Sequence, residues 1–210
     1  MSSEENAMNV EEHLYKVLVI GEFGVGKTSI IRRYTEGTFS PNYKLTIGVD
    51  FALKSIKWND NTKINLQLWY RVYYKYAIAA IIVYDLSRPA TFESVLKWFT
   101  DVNQKVMLAN EQPVPILLIA NKSDLLTNSL DEASLDTFCK QHNFIGWYTT
   151  SAKDNKNIDQ AMHFLVETIL SLTSNGQQPE EHISLHQDTN YLQTIEEEEY
   201  NANSSCCSKN

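Results

Sequence analysis

The sequence predicts an α/β fold: a mostly parallel six-stranded sheet with one antiparallel edge hairpin and helices on both faces. Three observations carry this. The stretches "AIAAIIVYDL" (77–86) and "PVPILLIANK" (113–122) are continuous apolar runs, the pattern of strands buried on both faces. Between them lies "TFESVLKWFTDVNQKVM" (91–107), an amphipathic helix of the kind that joins parallel strands. Earlier, "FALKSIKW" (51–58) and "TKINLQLW" (62–69) alternate apolar and polar residues around "NDN" (59–61), a hairpin signal.

The remaining elements follow in chain order. Residues 1–12 are polar and acidic and have no apolar run, so they are expected to be a disordered extension. "LYKVLVIG" (14–21) reads as a buried strand, and "KTSIIRRYTEG" (27–37) as a helix stopped near Gly37. Arg32 and Arg33 read as its solvated face. "SLDEASLDTFCKQH" (129–142) is a second amphipathic helix, with Ser129 or Asp131 as its cap. "GWYTTSA" (146–152) is a short strand, and "NIDQAMHFLVETILSL" (157–172) a strongly periodic last helix. From residue 175 the composition changes: few apolar residues, and four glutamates at 196–199. Such a segment cannot bury enough surface to offset its chain entropy. The expected organisation is an extension (1–12), one folded domain (13–174) and a disordered tail (175–210).

The chain has 210 residues, 43% of them hydrophobic, with a formal net charge of −8. That charge argues against nucleic acid as a partner, which calls for a basic face. The three cysteines have no metal-ligand spacing: Cys139 lies in a helical pattern as a small core residue, and Cys206 and Cys207 are adjacent in the tail. Without a spaced cysteine framework the sequence fits a reducing compartment. No segment has the roughly 18 consecutive apolar residues of a membrane span, so membrane contact would have to come from lipid.

"GEFGVGKT" (21–28) follows the first strand and opens the first helix, and it matches G-x-x-x-x-G-K-[ST]. Glycines let backbone amides close around phosphate oxygens, Lys27 brings a charge to the terminal phosphates, and the Thr28 hydroxyl suits Mg²⁺. The plain alternative is a glycine-containing turn that happens to fit. "NKSD" (121–124) follows a buried strand; the Asp124 carboxylate can accept two hydrogens from a guanine edge, where adenine offers neither donor. "TSAK" (150–153) also follows a strand, and its backbone amides could meet the guanine carbonyl. Each tetrapeptide alone is a weak signal. In this order, each at the C-terminal end of a strand, they mark the edge where such sheets bind ligands.

With these motifs the chain resembles the Ras-like small GTPases, specifically the Rab family, over about residues 13–172. The implied fold is the P-loop small-GTPase fold. "TIGVDF" (46–51) is similar to the Rab switch I, and "YYK" (73–75) to the segment after switch II. "EHLYKVLVIGEFGVGKTSIIRRY", "TIGVDFALK" and "LKWFTDV" resemble the Rab branch serving lysosome-related organelles, phagosomes and mitochondria. The resemblance implies GTP or GDP and Mg²⁺ as ligands. Nucleotide would be held by Gly21, Glu22, Phe23, Gly24, Val25, Gly26, Lys27, Thr28, Phe39, Thr46, Asn121, Lys122, Asp124, Ser151, Ala152 and Lys153. Thr28 and Thr46 would hold the metal, and Phe39 would pack on the guanine. Ile47, Phe51, Trp69 and Tyr73 would form the surface that effector proteins read, the plain alternative for the aromatics being core packing. Cys206 and Cys207 are similar to a doubly prenylated ending, since stable anchoring takes two lipid chains; the alternative is a free pair in a polar tail. The implied setting is a monomer on the cytoplasmic face of an intracellular membrane, with an exchange factor and a lipid-transfer escort, acting in vesicle trafficking.

One departure is large. The family carries D-x-x-G-Q directly after the strand ending at Trp69, where Asp holds Mg²⁺ through water, the Gly amide senses the terminal phosphate and Gln orients the attacking water. Here Trp69 is followed by Tyr70, Arg71, Val72 and Tyr73, so no catalytic residue is assigned and hydrolysis is expected to be weak or absent. Arg71 reads as a helix-surface residue rather than a replacement phosphate ligand. Residues 70–78 must also make the crossover to the next parallel strand. As a helix they reach about 13 Å, against a strand of roughly 17–20 Å to retrace. The connection is therefore stretched, or strand ends fray, or the sequence omits a segment through splicing or gene modelling. Three functions fit: a nucleotide-binding trafficking protein with deficient hydrolysis, an ordinary GTPase switch lacking a segment here, or a nucleotide-free scaffold or decoy.

Overall fold

A computed structural model describes residues 10–41, 51–69, 74–108, 111–127 and 129–174. Six strands and five α-helices run in the order β1 (Glu11–Ile20), α1 (Lys27–Glu36), β2 (Phe51–Lys57), β3 (Thr62–Trp69), β4 (Ala79–Asp85), α2 (Ala90–Glu93), α3 (Val95–Lys105), β5 (Ile116–Asn121), α4 (Glu132–Gln141), β6 (Gly146–Thr149) and α5 (Ile158–Ser174). The strand order across the sheet is β2-β3-β1-β4-β5-β6. Only β2 and β3 pair antiparallel; every other neighbouring pair is parallel. The fold is the expected α/β sheet of six strands with one edge hairpin.

Alternation along the strands divides the core. Val17 and Val19 of β1, Ile81 and Val83 of β4, and Leu117 and Ile119 of β5 pack with Ile30 and Ile31 of α1 and with Ala161, Met162 and Leu165 of α5. Leu18, Ile20, Ile82 and Leu118 point the other way and are equally buried, on the face where α3 and α4 supply Val95, Val102, Leu135 and Cys139. Among the described residues no helix is long and apolar enough to cross a membrane.

Local chemistry accounts for most element ends. Gly37 closes α1 in a left-handed conformation, φ 70°, its amide donating to Arg33 O. Asp131, one of the two expected caps, accepts from the Ser134 amide at 3.0 Å and opens α4. In the hairpin turn the Asn59 side chain accepts from the Asn61 amide at 2.9 Å. Two boundaries differ from the sequence reading. The helix expected over 91–107 is broken at Ser94 into α2 and α3 and ends at Lys105. The first strand starts at Glu11 rather than Leu14, because Glu11 and Glu12 pair in register with Thr62 and Lys63 of β3. Lys63 also donates to Glu12 at 2.9 Å.

The crossover from β3 to β4 corrects an expectation. A strand does not have to be retraced. Trp69, the last residue of β3, lies level with Leu18 of β1, and Ala79, the first of β4, lies level with Val17. Between these two described ends lies only a sideways step over β1, two strand spacings or about 10 Å. Its described part is held by both neighbours. Lys16 Nζ donates to Lys75 O at 2.8 Å, and the Ile78 amide donates to Lys16 O at 3.0 Å. The Tyr74 hydroxyl donates to Asp101 of α3. Tyr76 takes a left-handed φ of 62° at the turn, and 45% of it is exposed. Burial of Lys16 pushes its pKa down to about 7.

Candidate functional site

The site forms where β1, β4, β5 and β6 end, at the C-terminal edge of the parallel strands. Gly21 follows β1 at φ 137°, and a Cβ there would lie 2.1 Å from Val83 O, so β1 and β4 can approach only with glycine. The loop then turns through Gly26, φ 100°, into α1, whose amides begin at Lys27 with no acidic residue in the first turn. The positive end of a helix dipole therefore faces the loop's concavity. Lys27 Nζ stands inside it, donating at 2.8 Å to both Gly21 O and Glu22 O. Burial lowers its pKa, and the nearby Glu22 charge opposes that. A partly desolvated ammonium at a helix start is matched by an anion.

The NKSD and TSAK loops meet this cradle through Asn121, the last residue of β5. Its Nδ2 donates to Val25 O at 2.8 Å, and its Oδ1 accepts from Thr150 Oγ1 at 3.1 Å. A Cβ on Gly26 would lie 2.3 Å from that Nδ2, so the contact fixes glycine there too. Lys122 is left-handed, φ 65°, which turns the chain into a short 3₁₀ segment, Ser123–Leu125. Asp124 Oδ1 accepts from Ser151 Oγ at 2.7 Å, and Lys153 Nζ lies 3.8 Å from Asp124 Oδ2. The loop after β6 closes on itself: Ser151 and Lys156 exchange backbone hydrogen bonds of 3.2 and 3.0 Å. The structure thus brings the three sequence motifs together, with Asp124 hydrogen-bonded to Ser151.

Several residues at the site were not read from the sequence. Arg33, expected on a solvated face, is half-buried and anchors the TSAK loop. Its Nε donates to Ala152 O at 2.9 Å, Nη2 to Lys153 O at 3.0 Å and Nη1 to Gly37 O at 2.7 Å. Only Arg32 is exposed as expected. Asp85, at the end of β4, has a fully buried side chain and binds Lys122 Nζ at 2.7 Å and Arg88 Nε at 2.8 Å. Burial pushes its carboxyl up, but hydrogen bonds from Lys122, Ser87 and Arg88 outweigh that and hold it at about 2. The only available signal was an acid at the C-terminal end of an apolar strand. Trp98 of α3 donates from Nε1 to Glu22 Oε1 at 3.2 Å.

The predicted contacts around this centre are less complete. Phe39 packs partly buried against the core, 6.0 Å from the Arg33 guanidinium. Phe51 and Trp69 stack with ring centroids 5.0 Å apart, but Trp69 is only 6% exposed. It sits beneath Lys16 Nζ, 4.1 Å from the ring centroid, so it offers a partner little surface. Phe23, at the crest of the phosphate loop, is 62% exposed. Thr46, Ile47, Tyr73, Cys206 and Cys207 lie outside the described residues, as do Tyr70, Arg71 and Val72. Among the described residues no cluster of three His, Cys, Asp or Glu side chains could hold a metal. Of the two expected metal ligands, Thr28 lies in the first turn of α1. A hydroxyl beside phosphate oxygens is a hard-oxygen set that fits Mg²⁺.

Comparison with known proteins gives one consistent answer. The profile of the Ras family matches residues 16–171. The chain is 54% identical over 212 aligned positions to the Ras-related protein Rab-32B of Dictyostelium discoideum, covering 95% of this chain and 79% of that protein. It is 53% identical over 176 positions to the human Ras-related protein Rab-32, covering 78% of each. To the Ras-related protein Rab-7L1 of Rattus norvegicus it is 43% identical over 175 positions, covering 78% of this chain and 86% of the relative.

Proposed function

The chain belongs to the Ras family of small GTPases, in its Rab branch, and we propose that it works as a guanine-nucleotide-binding membrane-trafficking protein with deficient GTP hydrolysis. Family membership implies GTP and GDP binding and a role in membrane traffic. The finer reading rests on one observation: the phosphate loop and the NKSD and TSAK loops gather beside a crossover that runs from Trp69 to Ala79 without D-x-x-G-Q.

Each residue has a defined task in this reading. Lys27 and the start of α1 hold the terminal phosphates. Asp124, positioned by Ser151, accepts from the guanine edge. Thr28 and Thr46 hold Mg²⁺, which when bound neutralises charge on the phosphate oxygens. Arg33 and Asn121 keep the base loops against the phosphate loop. In the sequence no Gln follows Trp69, where the family places the residue that orients the attacking water. Phe51 and Tyr73, with Ile47, meet effectors; Cys206 and Cys207 carry prenyl chains that hold the protein on the cytoplasmic face of its membrane.

The test is a single-turnover assay on purified full-length protein, with GTP loading verified, with and without a Rab-activating catalytic domain. Loading of guanine but not adenine nucleotide is expected, with hydrolysis no faster than in GTP-loaded Lys27→Ala where that variant loads, and no response to the activator. An arginine finger supplies 10³–10⁵ in rate only on a site where water is already positioned. Hydrolysis at the rate of an intact relative would refute the reading of deficient catalysis. Equal loading of ATP would remove Asp124 as the base reader.

A further inference from the structure

Arg88 lies in the turn after β4, outside every nucleotide motif of the sequence. Its guanidinium spans two elements. Nε donates to Asp85 Oδ2 at 2.8 Å, and Nη2 donates to Phe23 O at 2.9 Å. The same Nη2 lies 3.4 Å from where a Cβ on Gly24 would sit, so the fork rests on the outer side of the phosphate loop where a side chain is missing. The turn beneath it is cross-braced by hydrogen bonds. Asp85 Oδ1 accepts from the Ser87 amide at 2.9 Å and from Ser87 Oγ at 2.6 Å, the Arg88 amide donates to Asp85 O, and Thr91 Oγ1 donates to Arg88 O at 2.7 Å. Asp85 is shared with Lys122 of the base-reading loop at 2.7 Å.

We infer that Arg88 is a positioning residue that latches the phosphate loop over bound nucleotide and so sets how slowly the nucleotide leaves. This rests on the guanine-nucleotide reading above and concerns only the loop's closure. From inside, Lys27 grips the carbonyls of Gly21 and Glu22; from outside, Arg88 grips the carbonyl of Phe23 and Trp98 grips the Glu22 side chain. Opening the loop to release phosphate breaks the Arg88 contact. A planar fork can hold a carboxylate and a carbonyl at once, which a lysine ammonium on a flexible stem does poorly. Because Arg88 touches the phosphate loop and makes no bond to Asp124 or Ser151, its loss acts on nucleotides with a β-phosphate far more than on base recognition.

The experiment uses the full-length protein loaded with a fluorescent GDP derivative and chased with excess unlabelled GDP at fixed Mg²⁺. Arg88→Ala is expected to speed dissociation about tenfold. Arg88→Lys keeps the charge but not the fork, and is expected to dissociate at least fivefold faster than the natural chain. In competition, Arg88→Ala should change GMP affinity less than twofold while weakening GDP about tenfold. A general loss of structure would weaken both alike, so equal loss overturns the inference. Unchanged GDP dissociation in Arg88→Ala, or natural dissociation in Arg88→Lys, also overturns it. Failure of the natural chain itself to bind GDP would instead sink the nucleotide reading on which the latch depends.

Discussion

Replacing Asp85 by Asn keeps the shape of a side chain with no exposed surface and removes its charge. Lys122 Nζ, 2.7 Å away, and Arg88 Nε, 2.8 Å away, lose their counter-ion. Two routes give the cost. The carboxyl is held at about 2 against an ordinary 3.8, and at 1.36 kcal/mol per pH unit that is about 2–3 kcal/mol. Breaking a buried pair typically costs 3–5 kcal/mol. The two cations are 31% and 45% exposed, so water takes up part of the loss and the lower end applies. Asp85→Asn should therefore lower the unfolding free energy in urea by about 2–3 kcal/mol at pH 7. Because the folded-state value lies below the unfolded one, the stabilisation is complete above about pH 4 and is lost as pH falls through about 2. The gap between natural and variant chains should be equal at pH 7 and pH 5, and roughly halved at pH 3. A gap under about 0.5 kcal/mol at pH 7, the size of an ordinary surface substitution, would refute the reasoning. So would one that does not narrow in acid.

Two further outcomes follow from side chains at the rim and under the crossover. Arg33→Ala removes the bonds to Ala152 O and Lys153 O and should weaken GDP binding about tenfold by titration calorimetry, the equivalent of one charge-assisted hydrogen bond at a part-exposed site. Lys16, lowered to about 7 by burial, binds its proton more weakly folded than unfolded. Stability relative to Lys16→Met should therefore rise between pH 7 and pH 9, which urea midpoints across that range will show.

The parts legible in the sequence are those decided by neighbouring residues. The phosphate loop, the hairpin around Asn59, the stop at Gly37 and the cap at Asp131 each follow from conformational preferences within a few positions. The continuous apolar runs of β4 and β5 announced burial on both faces. What stayed hidden depends on long-range approach. Arg33 meets partners 119 and 120 positions away, and Arg88 reaches back 65 positions to Phe23. An arginine on a helix looks solvated until its fork finds carbonyls. The crossover departs from the sequence expectation for a related reason: a sequence shows strand lengths, but not the level at which each strand pairs along β1. Trp69 was expected at the surface from the resemblance alone, while here it lies under Lys16.

The stagger of β3 and β4 along β1 has a consequence for re-engineering. Strand pairing fixes where both ends of residues 70–78 must sit, at Trp69 beside Leu18 and at Ala79 beside Val17. Those two anchor points do not depend on what is strung between them. Loop closure adds only about 0.6 kcal/mol for each doubling of length. A segment grafted between Trp69 and Tyr74 would therefore meet a sheet already in register, whatever its own chemistry.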